Sequence, residues 1–384
     1  MGSGASLPEF IDPEQCKEIV GETYFNQEKF DSIKETNGKI TAAQLTDLML
    51  DSILAAPPSG KRNADIAPLW DQMSTGWAQV PAMQMKIIEL FRGSVDMLDQ
   101  APDIYLAQCA ITKIQIKEKP CNVFIPKALE VIQDPRPVQI FYHGGGFIMG
   151  GPDNFKKTSA KLAVTSNSIV LCPTVGYAPE NKAVEWLENA YAALKYVHSD
   201  EAEEKYYFDK ARVAIRGESH GGYTALTVAR EAAKLDEPNL IKFAWLDIPA
   251  ITNDFVPKWK EPETEVQDMH KACSKLHMQT IALLFTDPDK VEEFNWDENK
   301  ENAEAFPALM DDETLAKLPP VLITTGEFDH VGKRGSEQFA ERLKPVEGKL
   351  LACYVQPGVM HGVYGTEGRK LRDIAERLFY SKFL

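Results

Sequence analysis

Short apolar segments alternate with helix-like periodicity from about residue 110 to the C-terminus. Eight runs rich in apolar and β-branched residues, bounded by turn residues, predict β-strands. These runs cover residues 111–116, 122–125, 138–142, 169–172, 213–215, 243–248, 321–325 and 350–355. Strands that alternate with helices predict a mostly parallel sheet covered by helices on both faces. We expect the first two strands to pair antiparallel at one edge.

Two of the intervening helices have a clear periodicity, with apolar residues recurring every three or four positions. The first has Val184, Leu187, Tyr191 and Leu194 on one face, and the last has Leu371, Ile374, Leu378 and Phe379. We expect both faces to pack on the sheet.

Composition restricts the class of protein. The 384 residues are 44% hydrophobic and 26% charged, which is ordinary for a soluble globular protein. A net charge of −15 without a basic cluster argues against a nucleic acid or an anionic membrane as partner. There is no apolar run long enough for a membrane span and no secretory leader pattern, so we expect a cytoplasmic protein. The six scattered cysteines are expected to be buried free thiols.

A glycine-rich loop follows one of the predicted strands. Segment 138–142 leads directly into His143-Gly144-Gly145-Gly146-Phe147. Glycine offers backbone N–H groups without side-chain bulk, and fixed donors of this kind stabilise negative charge as it develops on a carbonyl oxygen. We therefore interpret Gly144 and Gly145 as donors of an oxyanion hole.

A serine stands in the middle of a second glycine motif. Gly217-Glu218-Ser219-His220-Gly221 follows a strand and precedes a helix, a turn that presents a nucleophilic serine. The N–H of His220 is then a third oxyanion donor. A serine that begins a helix is often only an N-cap, but the flanking glycines and the oxyanion loop favour the nucleophile.

A serine nucleophile needs a base and a carboxylate that orients the base. Asp329, after strand 321–325, is the predicted acid, and His361, after strand 350–355, is the predicted base. The chain order Ser, Asp, His is the order of the α/β-hydrolase fold.

Other residues could fill the same roles. Glu327 is an alternative acid, and His220 and His330 are alternative bases. His143 is expected to organise the glycine loop, and Glu180 to be structural.

Taken in order, these motifs resemble the hormone-sensitive-lipase family of α/β hydrolases over about residues 101–384. The resemblance implies an α/β-hydrolase fold with an eight-stranded, mostly parallel sheet and a helical cap. It also implies a carboxylesterase or lipase that acts on a small-molecule ester without a metal or organic cofactor. Family members often dimerise, so a homodimer is one expectation. Glu218 and His220 depart from the family's aspartate and alanine, which leaves the substrate preference open.

Two segments fall outside the strand and helix alternation. The pattern of residues 1–100 predicts helices, and residues 250–306 are predicted to form a polar insertion between two strands. The resemblance implies that both segments build the cap of a catalytic domain that spans residues 101–384. Candidate pocket residues are Phe147, Trp70, Trp77 and Met83. Taken one at a time, such residues more often pack in a core than contact a ligand.

Residues 30–48 look like a degraded EF-hand, with Asn37-Gly38 at the turn. Its first ligand position is Ile33 and its last is Gln44, so the two most important carboxylates are missing. A helical hairpin used for packing or partner contact is the favoured interpretation.

The predicted reaction is ester hydrolysis through an acyl-enzyme. The same site could act on a lactone, amide, carbamate or thioester, or catalyse an elimination. A small-molecule receptor on a hydrolase scaffold is disfavoured because His361 is present. A scaffold role for residues 1–60 is a further alternative.

Overall fold

The computed structural model describes residues 10–20, 25, 27–35, 37–61, 63–65, 85–93, 99, 101–131, 134–252, 277–299 and 301–384. Within them, two strands form a small N-terminal ribbon, β1 (Phe10–Ile11) and β2 (Ile40–Thr41). The others are β3 (Cys109–Ile116), β4 (Lys119–Pro126), β5 (Arg136–Tyr142), β6 (Ile169–Pro173), β7 (Phe208–Glu218), β8 (Phe243–Asp247), β9 (Val321–Gly326) and β10 (Leu350–Gln356).

The described helices lie in the N-terminal segment and between these strands. They are α1 (Pro13–Val20), α2 (Gln27–Ile33), α3 (Ala42–Leu54), α4 (Met85–Arg92), α5 (Lys127–Glu130), α6 (Lys156–Ser166), α7 (Ala183–Val197), α8 (Asp200–Tyr206), α9 (His220–Lys234), α10 (Trp296–Asn299), α11 (Asp312–Lys317), α12 (Lys333–Leu343) and α13 (Gly365–Phe383). A further helical stretch covers residues 277–282.

The eight strands β3 to β10 form one sheet in the order β10-β9-β8-β7-β5-β6-β4-β3. All neighbours are parallel except β3 with β4 and β4 with β6, which are antiparallel. The predicted sheet and its antiparallel edge are therefore confirmed. Parallel strands direct their carboxyl ends to one edge, where open α/β sheets bind ligands.

Both faces of the sheet are covered, as predicted. Helices α7, α9 and α12 contribute to the core on one face, and α3, α6 and α13 to the core on the other. One residue of the predicted pattern is wrong: Val184 is 74% exposed. It lies in the first turn of α7, and the buried face is formed by Trp186, Ala190, Ala193, Leu194 and Val197.

The N-terminal unit, residues 10–54, belongs to the second of these cores. Its strands pair antiparallel, with Ile11 opposite Ile40, and both side chains are buried. Helix α3 packs on α13 and β10, so this unit lies on the face of the sheet that α13 covers. The part of the expected cap formed by residues 66–84 and 253–276 lies outside the described residues, and the role of these segments as a cap stays a prediction.

Hydrogen bonds close the EF-hand-like loop. The side chain of Gln44 accepts from the N–H of Thr41 at 2.8 Å and donates to the carbonyl of Ile33 at 3.0 Å. Thr41 in turn caps helix α3. The amide thus joins the first and last positions of the loop, where a calcium site would need carboxylates.

The described cysteines agree with the expected free thiols. Cys16, Cys109, Cys121 and Cys172 are free and buried, and Cys353 is free and partly buried. Cys273 lies outside the described residues.

A buried network of charges joins α13 to the sheet. Arg216, 1% exposed on β7, donates to Asp247 Oδ2 at 2.8 Å and to Glu376 Oε1 at 2.6 Å. Arg372 contacts both carboxylates, and Lys161 lies 2.9 Å from Glu376 Oε2. Charges this deeply buried are tolerated only when paired, so each member depends on the others.

We expect Glu376→Gln to lower the free energy of unfolding by about 1.5–3 kcal/mol, because Arg216 and Lys161 lose one buried carboxylate but keep Asp247 and Asp373 as partners. Denaturant unfolding followed by circular dichroism measures the change.

Asp47→Asn is the matched control. Asp47 also pairs with α13, through Lys382 Nζ at 2.5 Å, but both side chains are exposed. Its loss should change the free energy of unfolding by less than about 1 kcal/mol. Equal effects of the two variants would contradict the interpretation.

Candidate active site

Ser219 lies on a sharp turn between β7 and α9. Its backbone has φ 58° and ψ −119°, which is a strained conformation for a residue with a side chain. A Cβ atom at Gly217 would overlap the carbonyl of Gly221, and one at Gly221 would overlap the carbonyl of Tyr142. Glycine is therefore required at both positions, and the turn presents Ser219 at the carboxyl edge of the sheet.

The three predicted triad residues meet at this edge. Ser219 Oγ lies 2.8 Å from His361 Nε2, and His361 Nδ1 lies 2.9 Å from Asp329 Oδ1. An ionised carboxylate only accepts, so Nδ1 carries the proton and Nε2 is free to accept from the serine hydroxyl. The distances are those of two hydrogen bonds in series.

Several further donors hold the carboxylate of Asp329. Oδ1 accepts the N–H groups of Val331 at 2.9 Å and Gly332 at 2.8 Å, and Oδ2 accepts the hydroxyl of Thr325 at 3.1 Å. Asp329 is 3% exposed. Its position is therefore fixed by hydrogen bonds from two elements, β9 and the turn before α12.

Burial and charge act in opposite directions on this pair. Burial raises the pKa of Asp329, but the charge and hydrogen bond of His361 outweigh it and leave the pKa below its ordinary value. Burial lowers the pKa of His361, but the charge and hydrogen bond of Asp329 leave it above its ordinary value. The geometry thus favours an ionised Asp329 beside a more basic imidazole.

Glu327, the alternative acid, is engaged elsewhere. Its carboxylate accepts the N–H groups of Ser59, Gly60 and Gly358, at 2.9, 2.8 and 2.8 Å. Among the described residues, Asp329 is the carboxylate that contacts the His361 ring.

The glycine loop lies beside the serine, as the sequence predicts. The Cβ position of Gly144 is 3.8 Å from Ser219 Cβ, and Gly145 adopts a φ of +127°. Within the described part of the chain, no hydrogen bond is donated by the backbone N–H of Gly144, Gly145 or His220. These three N–H groups are therefore unpaired among the described residues.

His143 organises this loop. Its Nδ1 lies 2.8 Å from the carbonyl of Gly144, which can only accept, so Nδ1 is protonated in the neutral ring. Burial lowers the pKa of His143 to about 4, and its ring stacks on Phe155 at 5.1 Å between centroids.

The ring of His220 points away from the triad. It is buried against the rings of His143, Phe147 and Trp186, at centroid distances of 5.1 to 5.6 Å. Burial lowers its pKa well below the ordinary value. His361, not His220, contacts the hydroxyl of Ser219.

Phe147, a predicted pocket residue, lies in the core of this structure, and its contact with a substrate stays a prediction. Phe147 is fully buried and packs edge-on against Trp186 and Tyr223. Its backbone has a positive φ of 68°. The other pocket candidates, Trp70, Trp77 and Met83, lie outside the described residues.

Arg92, in helix α4, connects this helix to Ile148, the residue that follows the glycine loop. Arg92 donates to the carbonyl of Ile148 at 2.7 Å and to both carboxylate oxygens of Glu180 at 2.8 Å. Its guanidinium also lies over the ring of Tyr177 at 5.1 Å. No local sequence pattern indicates this role for Arg92, whereas Glu180 was expected to be structural.

Asp247 is a further residue that the sequence analysis missed. Its carbonyl accepts the N–H of Ser219 at 2.9 Å, and its carboxylate anchors the buried charge network. A carboxylate at the carboxyl end of a strand was the signal that could have revealed it.

The described residues contain no group of three or more His, Cys, Asp or Glu side chains arranged to hold a metal ion. None of their helices combines the length and the apolar character needed to cross a membrane.

An eight-stranded sheet with a serine at a strand-to-helix elbow, followed by Asp and His on later loops, defines the α/β-hydrolase class. The family model described as alpha/beta hydrolase fold matches residues 139–365, more than half of the chain. The chain therefore belongs to this family, and the resemblance to its hormone-sensitive-lipase-like members is confirmed.

Named relatives lie in the same family. Carboxylesterase NlhH of Mycobacterium tuberculosis is 27% identical over 263 residues, covering 68% of this chain and 76% of its own. Arylacetamide deacetylase-like 2 of Homo sapiens is 26% identical over 209 residues, covering 53% of this chain and 51% of its own.

Solved structures share the fold. A thermostable esterase from Pseudomonas putida aligns with a TM-score of 0.65 at 20% identity, covering 85% of this chain and 99% of its own. An esterase from Pyrobaculum calidifontis aligns with a TM-score of 0.61 at 23% identity, covering 83% and 99%.

We expect Gly221→Ala to abolish correct formation of the elbow, because its methyl group would overlap the carbonyl of Tyr142. The variant should be largely insoluble or should lose its cooperative unfolding transition. Gly348→Ala is the control: a Cβ atom there would meet nothing within 4 Å, although the φ of Gly348 is positive, at +71°, and that of Gly221 is not. A Gly221→Ala protein as stable as Gly348→Ala would contradict the close packing described here.

Proposed function

We propose that this protein is a carboxylesterase-type serine hydrolase that cleaves esters of small or medium acyl groups. The observation that carries the proposal is the chain of hydrogen bonds from Ser219 through His361 to Asp329, at 2.8 and 2.9 Å. The names of its relatives, a carboxylesterase and an esterase among them, support the same reaction.

In the proposed reaction, Ser219 Oγ bonds to the ester carbonyl carbon while its proton passes to His361 Nε2. The imidazolium that forms faces Asp329, and the oxyanion accepts from the N–H groups of Gly144, Gly145 and His220. When the tetrahedral intermediate collapses, the ester C–O bond breaks and His361 returns the proton to the departing alcohol. Water, deprotonated by His361, then bonds to the acyl carbon, the bond to Ser219 Oγ breaks, and His361 returns the proton to Oγ as the carboxylic acid leaves.

Amide hydrolysis by the same residues is the second candidate. Two relatives favour it by name: arylacetamide deacetylase of Mus musculus, at 24% identity, and arylacetamide deacetylase-like 2 of Homo sapiens, at 26%. An amide requires protonation of a poorer leaving group, so the same site should hydrolyse an ester faster. Comparing p-nitrophenyl acetate with p-nitroacetanilide separates the two.

We expect the p-nitrophenyl esters with short acyl chains to be hydrolysed fastest in a series of graded chain length. Phe147, which follows the glycines in sequence, packs edge-on against Trp186 and Tyr223, and all three rings are buried. A long acyl chain directed at these rings would have to displace them.

Ser219→Ala should reduce the turnover of these esters by about 10⁴-fold or more. Ser199→Ala is the matched control, because Ser199 also begins a helix and caps it, accepting from Ala202 N at 3.2 Å. It should retain full activity. Turnover that survives in Ser219→Ala would sink the proposed nucleophile.

The pH profile tests the base. His361 must be neutral to accept a proton, and the charge of Asp329 raises its pKa, so the acid limb of kcat/KM should lie at higher pH than for an unperturbed histidine. Activity should therefore fall as the pH decreases through that limb.

Asp329→Asn removes the charge that raises the pKa of His361. Its acid limb should move to lower pH while kcat falls by about 10³–10⁴-fold. An unchanged limb in Asp329→Asn would show that another group titrates there.

A further inference from the structure

The carboxylate of Glu327 connects the loop that bears Asp329 with two other segments. It accepts four hydrogen bonds, from Ser59 N at 2.9 Å, Ser59 Oγ at 2.6 Å, Gly60 N at 2.8 Å and Gly358 N at 2.8 Å. Gly358 lies in the histidine loop, residues 357–364 between β10 and α13, which carries His361. One side chain therefore joins the loop of Asp329, the histidine loop and residues 59–60.

Further hydrogen bonds join Asn63 and Asp65 to the histidine loop and to the start of α13. Asn63 donates through its backbone to the carbonyl of Gly358 at 3.0 Å and through its amide to the carbonyl of Tyr364 at 2.9 Å. Asp65 accepts the N–H of Thr366 at 2.6 Å. Gly358 and Tyr364 lie three residues before and three residues after His361, so these contacts bracket it.

The fit between the segment and the loop is close. A Cβ atom at Gly358 would overlap the side-chain oxygen of Asn63, and one at Gly368 would come within 2.9 Å of its nitrogen. Such contacts require the two segments to keep one relative position.

Glu327 is suited to hold these donors as an anion. Burial raises its pKa, but the hydrogen bonds from Ser59, Gly358 and Gly60 outweigh burial and lower the pKa below its ordinary value. A carboxylate accepts charge-assisted hydrogen bonds, which are about twice as strong as neutral ones.

We propose that Glu327 and Asn63 are positioning residues: they tie residues 59–65 to the histidine loop and so hold His361 in line between Ser219 and Asp329. The N-terminal part of the chain thereby completes the active site. This inference rests on the proposed function, because it assumes that His361 is the base.

The size of the expected loss in kcat follows from the geometry that proton transfer requires. A displacement of about 1 Å in a catalytic group can reduce the rate by about 100-fold. Loosening the histidine loop should act in the transition state more than on substrate binding, so kcat should fall while KM changes little.

The test compares Glu327→Gln and Asn63→Ala with wild type on p-nitrophenyl acetate. We expect each variant to reduce kcat by about 10- to 100-fold with KM within about threefold. The double variant should lose less than the product of the two single losses, because both act on one loop. Fluorophosphonate titration gives the concentration of active sites, so kcat is independent of any unfolded fraction.

The acid limb of kcat/KM gives a readout that loss of stability does not move. A loosened His361 loses part of the contact with Asp329 that raises its pKa, so the limb should shift to lower pH. Asn63→Ala changes no charge, and its shift therefore reports on geometry alone. The charged and titratable groups around His361 are Asp329, Glu218, Asp247, His277 and His330, and all remain in place.

Asp311→Asn is the matched control. Asp311 is also a carboxylate that accepts a backbone N–H and a hydroxyl, both from Thr314, at 2.8 and 2.9 Å. It caps α11 and belongs to neither catalytic loop. This variant should keep the kcat and the acid limb of wild type.

The outcomes separate the two proposals. Wild-type kcat and an unmoved acid limb in both Glu327→Gln and Asn63→Ala would overturn the positioning role, even if thermal stability fell. If Glu327→Gln is too unstable to assay, Asn63→Ala decides alone. Full activity in Ser219→Ala would instead overturn the proposed function, and the positioning role with it.

Discussion

The close approach of three backbone segments at the elbow is the constraint on which the rest of the site depends. Gly221 packs so tightly on the end of β5 that a methyl group would overlap the carbonyls of Tyr142 and His143. The glycine loop begins at that same point. The serine turn and the loop of N–H donors are therefore one rigid unit, and Ser219 keeps its strained φ of 58° because the surrounding packing over-determines it.

Buried charge then orients the remaining groups around this unit. Asp329 stays ionised out of water because three protein donors and the ring of His361 surround its carboxylate. On the other side of Ser219, the carbonyl of Asp247 holds the serine N–H, while its carboxylate pairs with Arg216. Desolvation of these groups offsets much of their mutual attraction, so the network is sensitive to the loss of any one member.

The sequence revealed the parts of the site that have local requirements. Glycines at a strand-to-helix turn and carboxylates at strand ends follow from backbone geometry, so Ser219, Asp329 and His361 could be predicted. The supporting contacts could not, because Arg92 and Glu180 are 88 residues apart and Ser59 and Glu327 are 268 apart. The motif likewise places Phe147 directly after the glycines but does not predict its positive φ of 68°.

Covalent labelling with a fluorophosphonate tests most directly whether Ser219, His361 and Asp329 act together. Wild-type protein should form one adduct, which peptide mass spectrometry maps to Ser219, and His361→Ala should react at least about 10³-fold more slowly while remaining folded. An adduct on another residue, or equal labelling rates in wild type and His361→Ala, would contradict a serine activated by His361 and Asp329.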